Sequence, residues 1–181
     1  MRRDQLEHAI RTACQIIGRP EVIVVGSQSI LGTYREDQLP ADATMSVEVD
    51  ILPVAADNDE TARLVDLIEG VAGEFSPCEE LHGFSIDGVD LQTSALPVGW
   101  RDRLVKVQNA NTAPPRGNRS SPAGAWTRKS FCVAKLCAPR EKDRNFVTAL
   151  LYAGLVAPTI ILLRLLTVDD RYRYAPDRAA N

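Results

Sequence analysis

The most constraining feature is a short all-apolar run, Val22–Val25, that stops at Gly26-Ser27. Four consecutive β-branched residues with no polar alternation suit a strand buried on both faces. A strand of that kind must lie inside a sheet, with covering elements on either side. The segment before it, residues 3–17, places Leu6, Ala9, Ile10, Ala13, Ile16 and Ile17 on one helical face, and Gly18 and Pro20 end that helix. After Gly26-Ser27, SQSILGTY reads as the start of a second helix. Residues 35–44 are polar, contain Pro40 and read as a loop.

The second strand, residues 45–54 (MSVEVDILPV), alternates. Val47, Val49 and Ile51 face one way, and Glu48, Asp50 and Leu52 the other. Two carboxylates sharing a face repel and add nothing to a purely structural strand, whereas a cation between them resolves the conflict. A helix over 55–75 follows. In residues 83–96, Asp87-Gly88 reads as a hairpin turn between strands at about 81–86 and 89–94, with Asp90 in the second. Trp100–Val107 reads as short strand or loop. Residues 108–125 are turn-rich and read as a loop. KSFCVAKLCAPREKDRNFVTALL reads as helix divided near Pro139, with Lys135 in its first turns and Arg140, Lys142 and Asp143 beyond.

With 181 residues, the chain suits one domain. The organisation expected is a core over 1–107, a basic loop over 108–125, a helical C-terminal portion over 126–168 of the same domain, and a polar tail over 169–181. The formal net charge of −3 hides a division: residues 1–98 hold 18 acids and 6 bases, and residues 99–181 hold 6 acids and 15 bases. Within 101–144 there are 11 bases and 3 acids. Such asymmetry is a hint of nucleic-acid contact, and equally of two complementary faces of one domain.

Cys14, Cys78, Cys132 and Cys137 show no metal-ligand spacing to each other or to His8 and His82, so reduced cysteines in a cytoplasmic protein are expected. The N-terminus reads as an amphipathic helix, not as a targeting segment. The uncharged stretch 146–163 reaches the lower edge of a membrane-span signal, but Gly154 and Pro158 interrupt it and Arg164 follows. Two core helices meeting near Ala157-Pro158 are expected there, with no membrane partner. Trp100 and Trp126 read as core more than as base-stacking residues.

Taken together, a Gly-Ser turn after a strand, alternate carboxylates on the next strand and a third carboxylate later make a device for a nucleoside triphosphate. Backbone N–H groups and a hydroxyl can approach phosphate at such a turn, and carboxylates suit Mg²⁺. Gly26-Ser27, Glu48-Val-Asp50 and Asp90 together resemble the signature of the DNA polymerase β-like nucleotidyltransferase superfamily. Ala134–Phe146 (AKLCAPREKDRNF) resembles a Lys…Arg…Lys-Asp segment of AbiEii/MenT-type nucleotidyltransferase toxins and their relatives.

The resemblance covers roughly residues 5–165. It implies an α/β (α+β) fold, a small mixed sheet of the nucleotidyltransferase type with packed helices and a helical C-terminal portion. It also implies Mg²⁺-dependent nucleotidyl transfer. In that reading Gly26 and Ser27 hold the triphosphate, and Glu48, Asp50 and Asp90 are metal-binding and catalytic. Lys135 is catalytic and nucleotide-binding, and Arg140, Lys142 and Asp143 bind nucleotide. The partners implied are a nucleoside triphosphate, an RNA acceptor such as a tRNA 3′ end, and an antitoxin protein. Two other readings stay open: a non-catalytic nucleotide- or protein-binding module of the same fold, and a small-molecule nucleotidyltransferase.

Overall fold

In the computed structural model, residues 1–91, 95–113, 124–128, 131–137 and 140–169 are described, with backbone only at 124–128 and 131. Helix α1 (Arg3–Ile17) buries Leu6, Ala9, Ile10 and Ala13 completely, on the face the periodicity indicates. Strand β1 (Glu21–Val24) follows, then a 3₁₀ helix over Ser27–Gly32, a second one over Glu36–Gln38, and the one-turn helix α2 (Ala41–Thr44). Strand β2 (Glu48–Pro53) leads to α3 (Asn58–Ala72), α4 (Pro77–His82) and strand β3 (Ser85–Gly88). A 3₁₀ turn (Arg101–Arg103), strands β4 (Leu104–Val107) and β5 (Gly124–Arg128), and helices α5 (Phe131–Cys137), α6 (Glu141–Tyr152) and α7 (Pro158–Leu165) complete the order.

The described strands form one mixed sheet in the order β3-β2-β1-β5-β4. β1 sits at its centre, as the all-apolar run requires. It runs antiparallel to β2 and parallel to β5; β2 and β3 are parallel, and β4 and β5 antiparallel. The main core lies on one face, where Val22, Val24, Val49, Ile51 and Ile86 meet α1, α3 and the buried Ile30 and Leu31. On the other face Ile23, Val25 and Leu52 form a smaller cluster, with Trp100 and Leu104 packed against it. Asp50 shares that second face through the strand alternation. The mixed α/β architecture with a small mixed sheet is thus the one expected.

Several elements differ from the sequence reading. Asp87-Gly88 is not a hairpin turn but part of β3, which pairs in parallel with β2 so that Asp50 stands opposite Asp87 and Ile51 opposite Gly88. Gly88 serves close packing: a Cβ there would lie 2.7 Å from Val65 Cγ1 of α3. The strand placed at 89–94 is absent among the described residues, Val89 to Leu91 being irregular and 92–94 lying outside them. The helix after Gly26 is a six-residue 3₁₀ helix, not an α-helix. The 35–44 loop contains two short helical turns.

β5, inside the stretch read as loop and helix, adds a central strand that the turn-rich flank conceals. Residues 114–123 of the basic loop, together with 170–181 of the polar tail, lie outside the described residues, as does the Trp126 side chain. Asn109 and Asn111, at the start of that loop, donate to the nearly buried Glu7 carboxylate of α1 at 2.7 Å each.

The uncharged stretch 146–163 divides near Ala157-Pro158 as foreseen, but α7 is not a core helix: of its residues only Ile161 is buried, and Ile160, Leu162 and Leu163 are exposed. α6 ends at Tyr152, Gly154 adopts a positive φ of 67°, and α7 starts at Pro158. Among the described residues no helix is long and apolar enough to cross a membrane. The four cysteines are free thiols. His8 and His82 make an edge-on ring contact at 4.2 Å between α1 and α4.

Candidate active site

β1 and β2 are locked together where the candidate site begins. Val25 N–H donates to Asp50 O at 2.9 Å, so the turn after β1 lies directly against Asp50. Gly26 adopts φ 64° and ψ −164°, a region essentially restricted to glycine. A Cβ at Gly26 would sit 1.7 Å from Asp50 Oδ2. The Gly-Ser turn is therefore required for the Asp50 carboxylate to occupy its position. Ser29 is buried and donates to Gly26 O at 2.7 Å, bracing the turn.

In front of β2 opens a cavity of about 420 Å³. One wall carries Ser27, Glu48 and Asp50. The facing wall carries Lys135 from α5 and Arg140, Lys142 and Asp143 around the start of α6. Asp42, Met45 and Ser46, from α2 and the segment after it, close a third side. Of the residues singled out from sequence, Ser27, Glu48, Asp50, Lys135, Arg140, Lys142 and Asp143 line this one cavity; Gly26 supports it from behind Asp50.

The electrostatics divide along the same walls. Burial pushes the Asp50 carboxyl above the ordinary carboxylate range and Glu48 adds to the effect, while Lys135, Arg140 and Lys142 oppose it. Asp143 is 1% exposed. It accepts from Lys135 Nζ at 2.8 Å and from Arg140 Nε at 2.8 Å. Burial acts to raise its carboxyl, but the two cations outweigh that and hold it below its usual range. Asp143 is thus a buried anchor that fixes two cations at the mouth of the cavity, rather than a group exposed to a ligand. Lys135 is itself mostly buried, with its side chain 15% exposed.

Asp90 is not brought into this group. It lies two residues beyond β3 and does not line the cavity. The carboxylate that the sheet places beside Asp50 is Asp87, which shares a hydrogen bond with Glu48. Burial first, then Glu48 and Asp50, raise its carboxyl to about 6. The Asp-Gly hairpin signal concealed Asp87; its strand placement follows from parallel pairing with β2, which local sequence does not encode. Asp42, Met45 and Ser46 were also missed: Asp42 lies in the stretch read as a polar loop, and Met45 and Ser46 open the stretch read as the second strand, which starts only at Glu48. Gln28 is fully buried on the same cavity, and its Oε1 has no hydrogen-bond partner, a state found where a ligand or ion completes the site.

Glu48 and Asp50 offer hard oxygen ligands on one strand face. Mg²⁺ commonly takes one or two carboxylates and completes its shell with substrate phosphates and water. Among the described residues no group of three His, Cys, Asp or Glu side chains could hold a metal ion by itself. A two-carboxylate site completed by phosphate oxygens fits what is present.

Comparison with protein-family models, curated proteins and solved structures finds no match.

Proposed function

We propose that the protein is a Mg²⁺-dependent nucleotidyltransferase that moves a nucleoside monophosphate from a triphosphate to a hydroxyl acceptor. The observation that carries this reading is the single cavity with Glu48 and Asp50 on one wall and Lys135, Arg140 and Lys142 on the other. A triphosphate is the ligand whose charge suits both walls at once, through a divalent cation on the acidic side and directly on the basic side.

Glu48 and Asp50 would hold Mg²⁺, which supplies charge neutralisation of the triphosphate and polarisation of its α-phosphorus. Lys135 and Arg140, held by Asp143, neutralise phosphate oxygens, and Lys142 extends that wall toward solvent. Ser27 offers its hydroxyl and backbone N–H to a phosphate oxygen. The six-residue 3₁₀ helix after Ser27 contributes little dipole, so the cations carry most of the phosphate attraction. The acceptor oxygen attacks the α-phosphorus, the bond to the bridging oxygen of pyrophosphate breaks, and the acceptor proton passes to a carboxylate. Asp87 stands opposite Asp50 across the strand pair and, like Asp90, does not line the cavity, so it bears on that step only through Glu48 and Asp50.

The basic window gives the acceptor its class. Arg101, Lys106, Lys142 and Arg144 are exposed cations of that window, which favours a polyanionic acceptor. Together with the resemblance to toxin families, this makes RNA, with a tRNA 3′ end as the site of addition, the acceptor of choice and an antitoxin protein the natural regulator. A non-catalytic nucleotide-binding module is the second reading; it is favoured by the commitment of Asp143 to ion pairs.

The deciding experiment incubates the protein with Mg²⁺, total RNA and each of the four α-labelled nucleoside triphosphates. Label on RNA that disappears in Glu48→Ala and Asp50→Ala supports transfer. Label on small hydroxyl compounds but not on RNA redirects the acceptor class. No transfer from any triphosphate by folded protein leaves the binding module.

A further inference from the structure

α3 packs inward against α1, β2 and β3, and α4 packs against α3. The outer surface of this helix pair shares no residue with the candidate active site. It is apolar where solvent should favour polar groups. Leu67 and Val71, one turn apart on α3, are exposed, and so are Phe75 in the α3–α4 turn, at 90%, and Leu81 of α4, at 77%. A single exposed apolar residue needs no explanation; four on two packed helices and the turn joining them do.

Charge says what covers this face. Residues 57–82 hold eight acids and one base, Arg63. Asp59, Asp66, Glu69, Glu74 and Glu80 are exposed, and among the described residues none of them enters an ion pair. Such a rim repels itself in the free protein and complements lysine and arginine. The backbone adds two further observations. Phe75 is the one described non-glycine residue with positive φ, at 61°, where asparagine or glycine is less strained. Its turn is fixed: Phe75 N–H donates to Glu79 Oε2 at 2.6 Å, and Glu79 N–H to Ser76 Oγ at 3.2 Å. The ring is thus held out in solvent, as an aromatic anchor is. Gly70, exposed in α3 one turn from Leu67, has nothing within 4 Å of where a Cβ would stand. A better helix former fits there and would stabilise α3, whereas the bare backbone leaves a hollow for close helix packing.

We propose that the outer face of α3 and the α3–α4 turn dock a basic amphipathic helix of a protein partner. Its apolar stripe lies against Leu67, Val71 and Phe75, its backbone approaches Gly70, and its lysines and arginines cover the acidic rim. Apolar residues one turn apart are what a docked amphipathic helix reads. The surface is independent of nucleotidyl transfer and stands whether or not that reading holds.

The test is an amide-resolved NMR titration of the full chain with a synthetic amphipathic helix, leucine on one face and lysine on the other. Saturable shifts at Leu67, Gly70, Val71, Phe75 and Leu81 are expected, with affinity about tenfold weaker for a peptide of the same composition in scrambled order. Gly70→Gln fills the hollow and Phe75→Asn removes the ring. Both are expected to melt no lower than the parent and to weaken binding about tenfold. Equal affinity for the scrambled peptide, or for one with glutamate in place of every lysine, overturns the proposal, and neither comparison needs a variant. Shifts confined to Glu48, Asp50 and their neighbours overturn it, as does unchanged binding by both variants. Shifts at the same residues on concentrating the protein alone, or on adding phosphatidylcholine vesicles, assign the face to a second copy or to lipid and overturn it as well.

Discussion

At Gly26, a hydrogen in place of a methyl group decides whether Asp50 can stand where it does. The positive φ and the 1.7 Å approach to Asp50 Oδ2 act together. Gly26→Ala is expected to destabilise the fold by about 3 kcal/mol, combining backbone strain with a steric clash. Urea denaturation beside Ser27→Ala checks this, since Ser27→Ala removes only a hydroxyl and leaves stability nearly unchanged. Asp87 makes a different prediction. Its folded carboxyl titrates near 6, against 3.8 for the free side chain, so the folded chain holds that proton more tightly than the unfolded one. The associated stability is complete below 3.8 and is lost as the pH rises through about 6. Asp87→Asn is therefore expected to be more stable than the parent at neutral pH, with the gap closing toward acid. Because Asp87 is half-exposed, solvent screening holds the gain to about 1 kcal/mol. Thermal melts at neutral and acidic pH read it directly; a gap that widens toward acid would contradict this account.

Arg140 and the first turn of α6 act as one unit with α5, because Asp143 joins Lys135 to Arg140. Asp143→Ala leaves the mostly buried Lys135 without its counter-ion, at an expected cost of about 3 kcal/mol. Asp143→Asn keeps an acceptor for Lys135 and is expected to cost less; denaturation of both variants checks the order.

The elements also show what local sequence carries. The α1 periodicity, the central β1 and the Glu48/Asp50 alternation are local patterns, and each is read correctly from the residues. The division at Pro158 follows from proline chemistry; α5 and α6 are separate helices, and Pro139 between them lies outside the described residues. β5, and the course of β3 beyond residue 86, were beyond local reading for a shared reason: both strands pair in parallel with strands distant in sequence. Asp87-Gly88 carries a hairpin signal locally, and tertiary pairing overrides it. The same override places Asp87, not Asp90, opposite Asp50 on the sheet.

At the scale of the whole molecule, the charge division acquires a location. The acidic portion of the chain contributes Asp42, Glu48 and Asp50 to the candidate active site, and the basic portion contributes Lys135, Arg140 and Lys142 to its opposite wall. Three acids of the first portion and three bases of the second thus face each other across one cavity. The fold brings them together by placing α5 and α6, late in the chain, before a strand pair formed early.

The central claim is that this cavity holds a metal-bound triphosphate between the two walls. Calorimetric titration of a non-hydrolysable nucleoside triphosphate, with and without Mg²⁺, tests it most directly. The account predicts binding that requires Mg²⁺, is lost in Asp50→Asn and is weakened at least about tenfold in Lys135→Met. Binding indifferent to Mg²⁺ and to both substitutions, or no binding by folded protein at any of the four bases, would contradict it.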